Sequence, residues 1–261
     1  MQLDEAQAVL LGPGEGELTE TEHRKLFVKG SWEQMDFLEY EGGPDYEGAG
    51  PHFHKLHVDS FYVLEGELEF AVGTETHRAG PGTFVSVPPG IVHAFTNPGP
   101  GPVRFLNVHA PACGFTDYIR ARDRGEDVDP ERFDIWDTEQ GGAAGAVLLG
   151  PGEGEPLSGR KRELHVKLSR DELDLLEFHA EVGFGPIDPH VHHDHIDSFY
   201  VLDGELELRI GDESVRAGPG AYFAAPPGVV HGFSIPGPAP ARFLNMHAPA
   251  AGFVHSLRGR N

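Results

Sequence analysis

The segment HVDSFYVLEGELEF at residues 57–70 recurs as HIDSFYVLDGELEL at residues 195–208, with 11 of 14 positions identical. The offset between the two segments is 138 residues, and it also separates three further pairs: VLLGPGEGE at 9–17 and 147–155, RAGPG at 78–82 and 216–220, and RFLNVHAP at 104–111 and RFLNMHAP at 242–249. A repeat of this length has the size of a domain. The chain is therefore predicted to be a tandem duplication with domains at residues 1–138 and 139–261.

Each copy consists of short runs of β-branched and aromatic residues bounded by glycine and proline. SFYVL, ELEFAV, TFVSV and VRFLNVH alternate with turn signals such as RAGPG and VPPG. Several short strands at this spacing are typical of a β-sandwich or β-barrel rather than of βαβ units. An all-β fold is predicted, with helix around residues 116–124, in the link between the copies, and around residues 170–176.

The composition excludes several classes of partner. The 261 residues contain 42 Asp and Glu against 20 Lys and Arg, a formal charge of −22. Binding to nucleic acid needs clustered basic residues that release counterions from phosphates, and an anionic membrane surface repels an acidic chain. Neither nucleic acid nor membrane is therefore expected as a partner. The 35 glycines and 22 prolines fit a fold rich in turns.

The single cysteine, Cys113, excludes an internal disulfide framework and a cysteine-rich zinc module. The first residues lack the basic and apolar regions of a secretory signal, and no apolar run approaches the length of a membrane span. A cytoplasmic protein is expected on these grounds.

Histidines form the candidate site. His52 and His54 lie two apart, so on a strand both side chains leave the same face. Asp59 follows five residues later, and His93 comes just after the VPPG turn. Three imidazoles and a carboxylate suit a divalent first-row ion such as Fe, Mn, Ni, Cu or Zn. The second copy repeats the set as His190, His192, Asp197 and His231, so up to two ions per chain are expected.

The spacing of these residues carries a family resemblance. His52-x-His54-x4-Asp59-x6-Gly66 resembles the first cupin motif, with Asp where the family normally has Glu. The second cupin motif is matched by Gly82, Pro88, Gly90, His93 and Asn97. The second copy repeats both motifs but has Ile235 in place of the asparagine. The chain thus resembles a two-domain bicupin of the RmlC-like type. The resemblance implies two tandem jelly-roll β-barrels joined by a short helical linker, each holding a metal ion inside.

The role of the two aspartates is open at the level of sequence. Asp59 and Asp197 are shorter than glutamate, so each either ligates the ion directly or hydrogen-bonds to a ligand. A detachable carboxylate is also a candidate general base, which makes these two the candidate catalytic residues. His57 and His195 precede them by two residues and are the alternative ligands.

Further residues are candidates for contact with substrate or with the ligands. In RFLNVHAP, the alternation of polar and apolar residues places Asn107 and His109 on one face of a strand. There they either form a polar wall of the cavity that contacts substrate or a ligand histidine, or lie at a strand end where His109 hydrogen-bonds to the backbone. Phe61 and Phe95 share strand parity with the predicted ligands, and they line either a cavity or the core. The remaining candidates are Asn97, Asn245 and His247.

The resemblance also suggests a function. Among bicupins the chain is most similar to quercetinase-like dioxygenases, which implies an oxygenase acting on a small organic substrate, aromatic or enolic, at His52, His54, Asp59 and His93. Oxalate decarboxylase-like bicupins typically have Glu at the acidic position. A binding protein without turnover and a metal-assisted isomerase or lyase are the alternatives. The resemblance also allows homo-oligomers that pair through barrel contacts, and no organic cofactor is expected.

Overall fold

The computed structural model describes residues 7–138 and 144–259. The chain divides into two compact units. The first, called the N-terminal barrel below, spans Gly16–Gly152. The second, called the C-terminal barrel, combines the chain up to Glu15 with the chain from Glu153 onward. Strands make up 49% and helices 8% of the structure, which confirms the predicted all-β fold.

Twenty-two strands are assigned in the described residues. Those before residue 138 are β1 (Val9–Leu11), β2 (Glu17–Glu20), β3 (Arg24–Ser31), β4 (Asp36–Gly42), β5 (Ala49–Phe53), β6 (Val58–Glu65), β7 (Leu68–Val72), β8 (Glu75–Ala79), β9 (Phe84–Val87), β10 (His93–Thr96), β11 (Val103–Ala110) and β12 (Trp136–Asp137). Those after it are β13 (Val147–Leu149), β14 (Glu155–Gly159), β15 (Arg162–Ser169), β16 (Asp174–Ala180), β17 (Ile196–Asp203), β18 (Leu206–Ile210), β19 (Glu213–Ala217), β20 (Tyr222–Ala225), β21 (His231–Ser234) and β22 (Ala241–Ala248).

The N-terminal barrel is built from two sheets with one core. Seven strands follow the order β13-β9-β6-β11-β4-β3-β2, and five follow β12-β5-β10-β7-β8. Phe61 and Phe105 from the first sheet pack against Phe70 and Phe95 from the second, with ring centroids 5.0 to 5.6 Å apart in the Phe61–Phe70, Phe61–Phe95 and Phe95–Phe105 pairs. Burial of these aromatic faces holds the two sheets together.

The C-terminal barrel repeats this arrangement. Its larger sheet has the order β1-β20-β17-β22-β16-β15-β14, and β19-β18-β21 form the smaller one. A bridge between His190 and His231 extends the smaller sheet at the position where β5 lies in the other barrel. Phe199, Phe233 and Phe243 form the corresponding aromatic core.

Each barrel receives a short edge strand from the sequence repeat that forms most of the other barrel. β1 pairs with β20 of the C-terminal barrel, and β13 pairs with β9 of the N-terminal barrel. Both strands belong to the repeated VLLGPGEGE segment, so the same sequence completes both sheets. The domain boundary expected after residue 138 stays a prediction. Residues 139–143, which adjoin that division, lie outside the described residues.

Two α-helices follow equivalent strands, α1 (Phe115–Asp123) after β11 and α2 (Phe253–Arg258) after β22. The helix predicted at 116–124 is therefore present within one residue. The helix predicted at 170–176 is wrong: residues 170–173 form a turn closed by backbone hydrogen bonds between Arg170 and Leu173, and β16 begins at Asp174. Neither α-helix of the described residues is long and apolar enough to cross a membrane.

The motif glycine Gly66 closes the turn between β6 and β7. Its φ of +76° lies in the left-handed region, and a Cβ added there would meet the Pro102 carbonyl oxygen at 2.4 Å. Gly204 repeats this situation, with a φ of +73° and the Pro240 carbonyl oxygen at 2.2 Å. Only glycine tolerates both the conformation and the close backbone approach.

Each α-helix is anchored by a buried aspartate at the start of a strand. Asp36 accepts a hydrogen bond from the Thr116 amide at 2.9 Å, and Asp174 accepts one from the Val254 amide at 3.2 Å. Burial raises the pKa of Asp36 to about 6. The folded barrel therefore holds a proton on Asp36 more tightly than the unfolded chain does.

Because the folded pKa of Asp36 exceeds the unfolded value, stability from this group is lost as pH rises from about 4 through 6. The substitution Asp36→Asn stays neutral and keeps an acceptor for Thr116. The variant should match the native chain near pH 4 and exceed it by up to about 3 kcal/mol at pH 7. Urea unfolding followed by tryptophan fluorescence measures this, since Trp32 and Trp136 both lie in the N-terminal barrel. Asp174→Asn is the matched control and should leave that signal unchanged. If the free energies of unfolding of the variant and the native chain differed by the same amount at every pH, the raised pKa of Asp36 would be contradicted.

Candidate metal centre

The four predicted ligands of the N-terminal barrel come together inside it. β5 and β10 pair with His52 opposite His93, and His54 lies at the end of β5. Asp59 reaches them from β6 in the other sheet. All four side chains are buried, and one ligand atom from each lies within 4.8 Å of the others.

Backbone carbonyls fix the orientation of the three imidazoles. The Nδ1 atoms of His52, His54 and His93 lie 2.8, 2.7 and 3.1 Å from the carbonyl oxygens of Gly50, Asp134 and Ile91, respectively. A carbonyl oxygen only accepts, so Nδ1 carries the proton and donates in each case. In the neutral form of each ring, Nε2 then presents its lone pair, as a metal-ligating histidine requires.

Asp59 supplies the negative charge at the centre of this group. Its Oδ1 accepts a hydrogen bond of 2.6 Å from the Asn107 amide, while its Oδ2 lies 3.2 Å from His93 Nε2 and 3.7 Å from His54 Nε2. Burial acts to raise the pKa of Asp59, but the neighbouring His109, His54 and His93 outweigh it and hold the pKa well below its usual range. Despite its shorter side chain, the aspartate thus reaches the imidazole nitrogens as a carboxylate.

These atoms fit a divalent cation. His54 Nε2 is buried and has no hydrogen-bond partner. His93 Nε2 lies 3.2 Å from Asp59 Oδ2, close to the spacing of two ligand atoms on one divalent ion. Burial, followed by the neighbouring His93 and His54, lowers the pKa of His52 to about 3, so this ring is neutral and able to ligate.

The C-terminal barrel repeats the donor set. His190 Nδ1 donates to Asp188 O at 2.9 Å and His231 Nδ1 donates to Val229 O at 3.0 Å. Asp197 Oδ2 lies 3.1 Å from His231 Nε2. His192 Nε2 is buried without a partner, like its counterpart in the first copy. The second set therefore fits a cation by the same test.

The two sites differ in exposure. The side chain of His192 is 20% exposed, against 1% for His54. The difference arises from residues 129–137, called the cover segment below, which contains a 3₁₀ helix (Pro130–Phe133) and β12. β12 pairs with β5, which places the segment against the strand that carries His52.

Asp134 connects the cover segment to the ligands, and the sequence analysis missed it. Its backbone carbonyl accepts from His54 Nδ1, and its carboxylate accepts from the Lys55 and Leu56 amides at 2.9 and 2.7 Å and from His57 Nδ1 at 3.0 Å. Burial acts to raise the pKa of Asp134, but the hydrogen bond from His57 and those from the amides lower it below its usual value. Asp134 lies outside the repeated segments, so no pattern in the sequence singled it out.

His57 and His109 form a second row behind the ligands. His57 Nε2 and His109 Nδ1 lie 2.9 Å apart, and His109 Nε2 donates to Asn107 Oδ1 at 2.8 Å. Asn107 in turn holds Asp59. The predicted contact of Asn107 and His109 with the ligand group is therefore present, and in this arrangement His57 contacts Asp134 and His109 rather than Asp59.

A cavity of about 690 Å³ opens onto this site. Its lining includes His52, Asp59, Asn107 and His109. Five aromatic residues also line it: Tyr40, Tyr46, Phe95, Phe115 and Tyr118. Of these, sequence reasoning singled out only Phe95, because the others lie on β4, α1 and a loop far from the motifs.

The remaining predicted residues lie at defined places. Phe61 is a fully buried core residue whose ring centroid lies 5.1 Å from that of Phe95. Asn97 bonds the Gly43 and Gly101 carbonyls in a turn and is not among the residues that line the cavity. Asn245 donates to Asp197 at 2.6 Å, and His247 Nε2 donates to Asn245 Oδ1 at 3.1 Å. His195 lies beside them and donates to Asp194.

Comparison with known proteins agrees with this geometry. A family model described as the cupin domain matches residues 39–109 and 177–247, one stretch in each barrel. Quercetin 2,3-dioxygenase of Bacillus subtilis (strain 168) is 28% identical over 95 residues, which is 35% of this chain and 28% of that protein. The similarity thus spans less than a third of the relative's length.

Solved structures show the same fold across nearly the whole chain. AerE from Microcystis aeruginosa has a TM-score of 0.64 at 14% identity, covering 94% of this chain and 99% of the other. An oxalate decarboxylase variant from Bacillus subtilis has a TM-score of 0.59 at 13% identity, covering 93% and 77%. At these identities the similarity concerns the fold alone.

The contacts of Asp134 predict a selective loss of metal affinity. The substitution Asp134→Ala removes the carboxylate that fixes His57 and the turn after His54. Zinc affinity of the N-terminal site should fall by about 10- to 100-fold, the usual effect of losing a group that orients a ligand. Isothermal titration of the apoprotein with zinc measures both sites, and the C-terminal site should be unchanged. Asp137→Asn, an exposed change on the same segment, is the control. Equal weakening of both sites would contradict the assigned role.

Proposed function

Because the chain belongs to the cupin family, we propose that it is a metal-dependent oxygenase acting on a small aromatic or enolic substrate in its N-terminal barrel. The cavity that joins the aromatic residues to Asp59 and His52 is the observation that carries the proposal. The similarity of one stretch to a quercetin 2,3-dioxygenase supports it.

The cavity suits a flat organic molecule. A volume of about 690 Å³ falls within the range of small-molecule sites, which are mostly apolar with a few polar groups that set orientation. Tyr40, Tyr46 and Tyr118 offer ring faces for stacking and hydroxyl groups for polar substituents. Phe95 and Phe115 add apolar surface to the lining of the cavity.

His52, His54, His93 and Asp59 would hold the ion. A redox-active divalent ion at this position supplies Lewis-acid activation of a substrate oxygen and electron exchange with dioxygen. The carbonyls of Gly50, Asp134 and Ile91 keep the three imidazoles in the ligating tautomer throughout.

Asp59 serves as the base that accepts the hydroxyl proton of the substrate. Asn107 occupies its Oδ1, so Oδ2, the atom that faces the imidazoles, would hold the ion in the absence of substrate and take the proton once an entering substrate displaced it. A carboxylate of low pKa is suited to a hydroxyl group already acidified by the ion. The cover segment and Phe115, which stacks on His109 at 3.7 Å, limit the access of water to this atom.

The C-terminal barrel has a supporting role in this proposal. Its donor set is complete, but His190 and His192 are partly exposed. An oxygenase centre is better placed where water is excluded. The C-terminal ion would therefore be bound without turnover.

Oxygen uptake by the reconstituted chain tests the proposal. Apoprotein loaded in turn with Fe²⁺, Mn²⁺, Ni²⁺ and Cu²⁺ is mixed with flavonols, catechols and β-diketones in an oxygen electrode. At least one combination should consume oxygen in proportion to substrate. His52→Ala should lower the rate by about 100-fold or more, because the reacting centre loses a ligand. The matched His190→Ala in the C-terminal barrel should change it less than threefold.

The other outcomes lead to different conclusions. Conversion of a substrate by the metal-loaded protein without oxygen uptake would indicate an isomerase or a lyase instead of an oxygenase. Binding of metal without consumption of any substrate class would favour a binding protein. Equal losses in the two variants would refute the assignment of the reaction to the N-terminal barrel.

A further inference from the structure

Three imidazole nitrogens in the C-terminal barrel face one another without hydrogen-bond partners. His192 Nε2, His195 Nε2 and His247 Nδ1 are buried and unpaired. His195 is 6% and His247 1% exposed. The three residues present ligand atoms within 4.8 Å of one another. His190 and His231 take no part in this group.

His195 and His247 each donate their N–H to a group outside this cluster. A neutral imidazole has a single N–H. His195 donates from Nδ1 to the Asp194 carboxylate at 2.8 Å, and His247 donates from Nε2 to Asn245 Oδ1 at 3.1 Å. Each therefore turns an unprotonated nitrogen toward the other and toward His192. Unsatisfied buried acceptors are costly, and two of them beside the unpaired His192 Nε2 indicate a missing electropositive partner.

The N-terminal barrel provides the contrast. Its equivalent residues also lie close together, but His57 Nε2 lies only 2.9 Å from His109 Nδ1. Two imidazole nitrogens on one tetrahedral zinc ion lie about 3.4 Å apart, given zinc–nitrogen distances of about 2.0–2.1 Å. The two N-terminal nitrogens are therefore too close together for both to bind one such ion. The difference follows from His57, which is held by Asp134, whereas His195 is held by Asp194.

We propose that His192, His195 and His247 form an additional divalent-cation site in the C-terminal barrel, distinct from the site centred on Asp197. Three neutral imidazoles suit a borderline ion such as Zn²⁺ or Co²⁺ and leave a further coordination position free. His192 belongs to both groups of ligands, so an ion at the additional site competes for it with an ion at the Asp197 site. The stacking of Phe253 on His247, at 4.1 Å, shields one side of the additional site.

The test removes the two Asp-centred sites and asks whether an ion remains. The full chain carrying His52→Ala, His93→Ala, His190→Ala and His231→Ala is titrated with Co²⁺ and Zn²⁺ against a chelator of known affinity. One ion per chain should bind, with the visible spectrum of cobalt in a nitrogen-rich site. Adding either His195→Phe or His247→Phe should weaken binding at least 100-fold. Adding His57→Phe, the matched change in the N-terminal barrel, should have no effect.

Two results would overturn the proposal: no binding by the fourfold variant, or binding that neither His195→Phe nor His247→Phe weakens. Circular dichroism verifies the fold of each variant. If the fourfold variant does not fold, crystals of the single variant His190→Ala grown with excess Zn²⁺ test the site instead, because this change weakens the competing Asp197 site. Anomalous density bonded to His195 and His247 would support the additional site, whereas zinc in the C-terminal barrel that contacts neither of them would refute it. These outcomes are independent of whether the chain is an oxygenase.

Discussion

The hydrogen bond from Asn107 to Asp59 is the contact on which the site depends. A buried carboxylate is costly unless its charge is compensated. Asn107 fixes one oxygen at 2.6 Å and leaves the other among three imidazoles, and Asn245 does the same for Asp197 at the same distance. The pairing of β6 with β11, and of β17 with β22 in the second copy, makes this possible, because it sets His109 opposite Asp59 and His247 opposite Asp197.

The two barrels use this shared arrangement differently. In the N-terminal barrel, Asp134 of the cover segment fixes His54 and His57, which closes the second row of histidines and shelters the ligands. In the C-terminal barrel, His195 is drawn to the exposed Asp194 instead, and its inner nitrogen is left open toward His247. The cover segment and the contacts of its Asp134 therefore distinguish a sheltered site with an adjoining cavity from a more open one.

The sequence predicted the duplicated β fold and the convergence of the histidines, because both follow from local patterns. Strand alternation fixes which residues share a face, so His52, His54, Asn107 and His109 were placed on the correct sides. Asp134 was missed because its contacts with residues 54–57 depend on how an irregular segment folds over the barrel. The helix predicted at residues 170–176 failed because pairing with a neighbouring strand overrides helix propensity there. The aromatic cavity wall was also missed, since it assembles from separate elements.

Three imidazole nitrogens and an aspartate oxygen of the N-terminal barrel should bind a divalent ion together. X-ray absorption at the zinc edge tests it most directly, on a full chain carrying His190→Ala and His195→Phe and loaded with one equivalent of zinc. The spectrum should show the multiple scattering of three imidazoles and one oxygen ligand at about 2.0–2.2 Å. A zinc ion surrounded mainly by water oxygens, with fewer than two imidazoles, would contradict this set of ligands.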